Sequence, residues 1–187
     1  PLGVEEGIIK GIYPLSTSKS KAKKRVQLMG AGAILNEVIE AADLLLTDWG
    51  IAADVWSMTS ANELRRDGLA CQRWNMLNPE ETPRIPYITE QLSSASGPFI
   101  AATDYMKVYA DQLRAFIPGT YKVLGTDGYG RSDTREKLRY FFEVNRYFVV
   151  VAALQALVEE KTIKPNVLAD ALKKYGIAGD KPDPVTV

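Results

Sequence analysis

The apolar residues of this 187-residue chain fall into short runs that alternate with helical stripes. Gly7 to Leu15 alternates loosely between apolar and polar positions and predicts an edge strand. Val26-Gln27-Leu28-Met29 predicts a strand that ends at Gly30-Ala31-Gly32-Ala33. Ile34, Leu35, Val38, Ile39, Ala42, Leu45 and Leu46 then recur at helical spacing up to Trp49, with Gly50 as the stop. Ala53 to Met58 predicts the next strand. Ser60 with Glu63 three residues on has the spacing of a capping box at the start of a helix. Strand, helix, strand in that order favours a parallel sheet.

The second half repeats the alternation. Asn75 to Pro86 holds three X-Pro steps, which forbid regular helix and stiffen the path. Tyr87 to Leu92 predicts a short helix and Phe99 to Thr103 a third parallel strand. Asp104 is placed to cap a helix from Tyr105 to Phe116, with Met106, Tyr109, Leu113 and Phe116 on one face. Pro118-Gly119 ends it, and Tyr121 to Leu124 predicts the last strand. A helix that begins near Thr134 and includes Leu138 and Phe141 follows, then helices from roughly Tyr147 to Glu159 and from Pro165 to Tyr175, with Gly176 as terminator. Residues 180–187 carry two prolines and read as a flexible tail. The sum is an α/β domain, a three-layer α/β/α sandwich. Its mostly parallel sheet has about five strands, with one antiparallel edge strand.

Composition narrows the chemistry more than the fold. A hydrophobic share of 46% and a charged share of 25% suit a globular domain, and 23 basic residues balance 23 acidic ones. That balance favours neither nucleic acid nor an anionic membrane as partner. The longest apolar run, Phe148 to Leu154, is far short of the ~20 residues of a spanning helix. One cysteine, Cys71, allows no intrachain disulfide and fits a cytoplasmic setting. Cys71 and the three tryptophans, Trp49, Trp56 and Trp74, read as packing residues. The start, Pro1 to Glu6, has neither an initiator Met nor signal-peptide character and reads as the interior of a longer chain. With no histidine at all, Ser-His-Asp and Cys-His catalysis and histidine zinc sites are excluded. An all-carboxylate magnesium site stays open.

Three stretches invite functional readings. Gly30-x-Gly32 lacks the third glycine of a dinucleotide fingerprint, since Leu35 stands there, and reads as close strand-to-helix packing. Lys19, Lys21, Lys23, Lys24 and Arg25 form a basic run without an acid, either a solvated loop or a docking patch for an anionic partner. The most informative stretch is Gly125 to Glu136, three glycines in six residues between a strand and a helix. Such an elbow is where α/β proteins place ligands and interfaces. Asp127, Tyr129, Arg131, Ser132 and Arg135 are its candidate residues, for an interface or for an anion that Arg131 would hold. In the plainer reading Ser132 or Asp133 caps the helix, and the arginines pair with Asp127 or Glu136. A carboxylate enzyme built on Asp104, Asp127 and Asp133 is disfavoured, because those positions suit helix caps.

Four long segments, in order, carry a resemblance over nearly the whole chain. They are Gly3 to Tyr13, Arg73 to Ile88, Ala102 to Lys107 and Leu124 to Asp133. Each resembles the C-terminal region of bacterial homodimeric pyruvate dehydrogenases, thiamine-diphosphate-dependent enzymes of the transketolase superfamily. The resemblance implies a single C-terminal domain over residues 1–187 with a transketolase C-terminal-domain-like fold. It implies a whole enzyme that decarboxylates pyruvate and acetylates the lipoyl group of an acetyltransferase component. Thiamine diphosphate and Mg2+ would be bound by other domains, since Thr126-Asp127-Gly128 shares only Asp-Gly with the cofactor signature and the chain has no Asn-Asn pair. The implied partners are a second copy of the chain and the lipoyl-bearing acetyltransferase, with neither nucleic acid nor membrane. The isolated chain is expected to be inactive, with no catalytic, cofactor or metal residues of its own. The alternatives are the C-terminal domain of another transketolase-type enzyme and an anion-binding regulatory domain.

Overall fold

A computed structural model describes residues 1–187. Five strands form one sheet in the order β1-β3-β2-β4-β5. They are β1 (Ile12–Ser16), β2 (Arg25–Gly30), β3 (Ala52–Met58), β4 (Phe99–Ala102) and β5 (Tyr121–Leu124). β2, β3, β4 and β5 run parallel, and β1 lies antiparallel on the outer edge of β3. The antiparallel edge and the four parallel strands are those the alternation predicts.

Because side chains alternate across a strand, the sheet feeds two cores. Val26, Leu28, Val55 and Ile100 face one side. There they pack against α2 (Leu35–Trp49), α7 (Arg146–Glu159) and α8 (Pro165–Lys174). Met29, Trp56, Phe99, Ala101 and Tyr121 face the other, under α3 (Ala61–Leu77), α4 (Tyr87–Leu92) and α5 (Val108–Asp111). Phe99 is the largest side chain with almost no exposure. Burying a group of that kind is worth about 2–3 kcal/mol. Ser60 caps α3 as its spacing predicts, its hydroxyl accepting from Glu63 N at 3.1 Å.

The stretch from 135 to 159 has the length and mean hydropathy of a membrane span. It is two helices here, α6 (Arg135–Phe141) and α7, parted where Glu143 takes φ +61°. α7 is apolar nearly all round because it is buried between the sheet, α2 and α8.

Several boundaries differ from expectation. Glu5–Lys10 is a helix, α1, not the start of the edge strand. Gly11 ends α1 at φ +106°, and the strand begins only at Ile12. α3 runs on to Leu77, three residues into the segment expected to be loop. Asp104 caps nothing, and the helix expected from Tyr105 to Phe116 is one turn, α5, plus a 3-10 turn at Arg114–Phe116. Residues 104–107 are instead hydrogen-bonded to the loop after β5, as described below. Residues 180–187, read as a tail, lie against the domain. Pro184 is buried, and Lys181 Nζ donates to Phe141 O and Glu143 Oε1, both at 2.9 Å.

Candidate functional site

The sheet order places a topological switch at β2 and β4, whose connections leave in opposite directions. Open α/β sheets bind ligands in the crevice beyond the carboxyl ends of the strands at such a point. Here that crevice is a cleft of about 570 Å³. Ala33 and Ile34 line it from the end of β2, Asp104 from the end of β4, and Thr126, Arg131, Arg135 and Arg139 from beyond β5.

Two loops build the rim by binding each other. Thr126 N donates to Tyr105 O at 2.9 Å, and Thr126 Oγ1 donates to Asp104 O at 2.8 Å. Lys107 N donates to Asp127 Oδ2 at 3.1 Å. Gly125 is required by this closeness. A Cβ there would lie 2.6 Å from Lys107 N and 2.7 Å from Tyr105 O. Gly128 is required for two reasons, φ +112° and a Cβ position 2.3 Å from Pro184 O. What the glycine loop comes close to is therefore the rest of its own chain, at residues 105–107 and at Pro184. Gly30 also behaves as packing, since its Cβ would lie 2.7 Å from Leu35 Cα.

The five candidate residues part company. Arg131 and Arg135 line the cleft, and Arg131 lays its guanidinium 4.1 Å over the Phe141 ring instead of pairing with Asp127. Asp127 is turned to the Lys107 amide. Tyr129 is 80% exposed. Ser132 is exposed and caps no helix; the cap of α6 is Thr134, whose hydroxyl accepts from Lys137 N at 3.4 Å. Asp133 accepts from Thr134 N at 2.7 Å, so it does not cap the helix either.

The densest polar cluster was not singled out from sequence. Glu37, on the buried side of α2 and 5% exposed, accepts from Arg139 Nη1 at 2.8 Å. It also accepts from Arg146 N at 2.9 Å, Nε at 3.0 Å and Nη2 at 3.2 Å. Burial pushes the Glu37 carboxyl up, but the hydrogen bonds and charge of Arg146, with Arg139, outweigh it and hold the group below the usual glutamate range. Arg146 is correspondingly raised by its bond to Glu37. The cluster joins α2 to the start of α7 and to α6, and so fixes one wall of the cleft. Its sequence signal is an acid inside the apolar stripe of α2, between Ile34 and Val38.

Chemically the cleft offers cations next to the carboxylates of Asp104 and Asp133, and no activated nucleophile. Cys71 is buried elsewhere, and burial pushes its thiol up. No three carboxylates or thiols converge as metal ligands.

The sheet order and the switch-point crevice make this an open, mostly parallel α/β domain with its candidate site at the carboxyl edge. The family described as the transketolase-like TK C-terminal domain matches residues 11–145, and the chain belongs to it. Its relatives are more specific. The chain is 58% identical over 186 residues to a pyruvate dehydrogenase E1 component of Pseudomonas aeruginosa, covering 99% of this chain and 21% of the relative. It is 53% identical to the pyruvate dehydrogenase E1 component of Escherichia coli, covering 98% of this chain and 20% of the relative. The chain thus spans about a fifth of the length of these relatives. Among solved structures, transketolase from Pichia stipitis superposes with a TM-score of 0.54 at 18% identity, over 84% of this chain and 19% of that one. Transketolase from Leishmania mexicana gives 0.51 at 15% identity, over 97% and 20%. These structural likenesses show the shared fold.

Proposed function

We propose that this chain serves as the C-terminal structural and dimerisation domain of a pyruvate dehydrogenase, the first component of the pyruvate dehydrogenase complex. The observation that carries this is 58% identity to an E1 component across 99% of the chain. The 15–20% identity to transketolases argues against transketolase itself. The whole protein would decarboxylate pyruvate with thiamine diphosphate and Mg2+ and acetylate the lipoyl group of an acetyltransferase partner, in the cytoplasm, as a homodimer. This domain would leave cofactor and metal to other domains of the whole enzyme, and it has no imidazole to serve a cofactor.

Its own work is to present a surface. Tyr105, Met106 and Tyr129, on the two loops that bind each other at the carboxyl edge of the sheet, and Val108 at the start of α5 are exposed. Exposed apolar side chains grouped in this way mark an interface. The residues before Ile12 reach the same edge, since Ile12 pairs with Met58 at the carboxyl end of β3. An anion-binding regulatory role gains no such support, because Asp104 and Asp133 share the cleft and Arg131 stacks on Phe141.

Calorimetry of the chain with thiamine diphosphate and Mg2+ tests the cofactor part: no micromolar binding is expected, and saturable micromolar binding overturns it. Hydrogen exchange in the whole polypeptide tests the surface. Residues 103–108 and 126–130 should exchange more slowly than in the isolated chain; equal rates would place the interface elsewhere.

A further inference from the structure

The opposite edge of the sheet has a different character. Of the basic run that leads into β2, Arg25 is not free to meet a partner. Its Nη1 donates to Asp54, and its Nη2 donates to Ser18 O at 3.2 Å and Ser20 O at 3.3 Å. Ser18 N donates to Asp54 Oδ1 at 2.9 Å, and Ala22 N donates to Ser20 Oγ at 3.2 Å. The loop is thus held in shape from within. Ser18, Ser20 and Ala22 are half-buried, while Lys19, Lys21, Lys23 and Lys24 between and after them are exposed. Alternation of this kind turns a charge run into an ordered array.

The array continues past Lys24. Lys24 shares a cleft of about 720 Å³ with Lys161 and Lys164, over an apolar floor of Val158, Ile163 and Val167. The eleven ion pairs of the domain involve none of Lys19, Lys21, Lys23, Lys24, Lys161 and Lys164. In a chain of zero formal net charge, six unpaired lysines on one edge are a local excess. β1 leads away from the carboxyl edge toward this one, so residues 1–11 and these lysines lie at opposite ends of the strands.

We infer that this lysine-rimmed cleft is a docking site for an acidic polypeptide segment that carries an apolar residue. The lysines give long-range attraction and set the sign of the partner. The Val158–Ile163–Val167 floor gives the apolar residue a place to bury. A polypeptide is favoured over nucleic acid because no aromatic residue lines the cleft to stack a base and no arginine stands there to fork onto a phosphate. The inference is independent of the pyruvate dehydrogenase reading, since it rests on this edge alone.

The test uses a fluorescent ten-residue peptide of Glu and Asp with one central Leu, and anisotropy with the chain at about 50 mM and about 300 mM salt. Binding should weaken at the higher salt, as exposed charge pairs are screened. The K24Q/K161Q/K164Q chain should bind at least tenfold more weakly at low salt. A control triple at Lys10, Lys137 and Lys173 should bind as the parent does. Exchanging the central Leu for Ser should weaken binding severalfold. All these lysines are exposed, so unchanged circular dichroism and urea midpoint would show that folding is intact. Equal binding by the cleft variant and the control variant, or no binding by the parent, would overturn the inference. So would tighter binding of an oligothymidylate or of phosphatidylserine vesicles than of the peptide.

Discussion

Replacing Glu37 with alanine tests whether the buried carboxylate holds α6 and α7 in place. Glu37 accepts four hydrogen bonds from two arginines. Breaking a buried pair by removing one partner costs about 3–5 kcal/mol. Arg139 is 18% exposed in its side chain, so losing Glu37 strands a largely buried charge. Arg146 is 36% exposed and regains water, which places the cost near the lower end, at about 3 kcal/mol. With a urea dependence of about 2 kcal/mol per molar, the unfolding midpoint should fall by about 1.5 M at pH 7. Glu37→Gln keeps one acceptor oxygen and should cost about 2 kcal/mol. The sign with pH follows from the depressed carboxyl. Its contribution is complete above the ordinary glutamate value of 4.5 and is lost as pH falls through the lower folded value. The gap between parent and Glu37→Gln should therefore narrow from pH 7 to pH 3. Urea titrations of both at the two pH values decide it. A midpoint shift under about 0.3 M for Glu37→Ala, or a gap that does not change with pH, would refute the reasoning.

The glycine loop gives a paired prediction: Gly125→Ala should cost about 2 kcal/mol or more, because its Cβ meets backbone at 2.6 Å, whereas Gly130→Ala, with nothing within 4 Å, should stay within about 0.5 kcal/mol. Differential scanning calorimetry separates the two; equal losses would mean that close approach is not what Gly125 provides. Gly128→Ala should free residues 181–187 from the loop, read as faster hydrogen exchange there, and unchanged exchange would contradict the contact with Pro184. Tyr175, pushed up to about 12 by burial, accepts from Trp49 Nε1 and donates to Asp48 Oδ2, both at 2.9 Å. Tyr175→Phe should cost about 1 kcal/mol at pH 7. Since the folded value is raised, the parent should lose stability as pH climbs from 10 to 12, more steeply than Tyr175→Phe does; parallel curves would be the wrong outcome. Ser60→Ala should cost about 1 kcal/mol through the cap of α3, and no change in urea midpoint would count against it.

What was legible in the sequence was what short-range chemistry dictates. β2, β3, β4 and β5 announce themselves as apolar runs, the Ser60 cap by its spacing to Glu63, and the elbow by its glycines. What was not legible depends on contacts between distant residues. Tyr105 to Phe116 has a good helical stripe, yet residues 104–107 bond to Thr126 and Asp127, which costs the helix its first turn. α1 is only six residues, too short to show a period, and Ile8-Ile9 read equally well as strand. Asp133 was a sound cap by type, but it bonds to its neighbour Thr134, one residue nearer the helix, which caps instead. The cleft was legible as a place, through the strand-glycine-helix elbow. Its wall was not, because Glu37 meets Arg139 and Arg146 across more than 100 residues. Arg25 shows the same limit in reverse: by composition it belonged with the lysines beside it, and only the position of Asp54 on β3 takes it out of their array.

The central claim, that this chain is a structural domain within a longer pyruvate dehydrogenase, is tested most directly by pyruvate turnover. Release of carbon dioxide from labelled pyruvate would be measured for the chain alone and for the polypeptide that includes the preceding residues of its reading frame, each with thiamine diphosphate and Mg2+. The account predicts turnover by the longer polypeptide and none by residues 1–187. Turnover by the 187-residue chain itself, or a longer polypeptide that leaves pyruvate untouched, would contradict it.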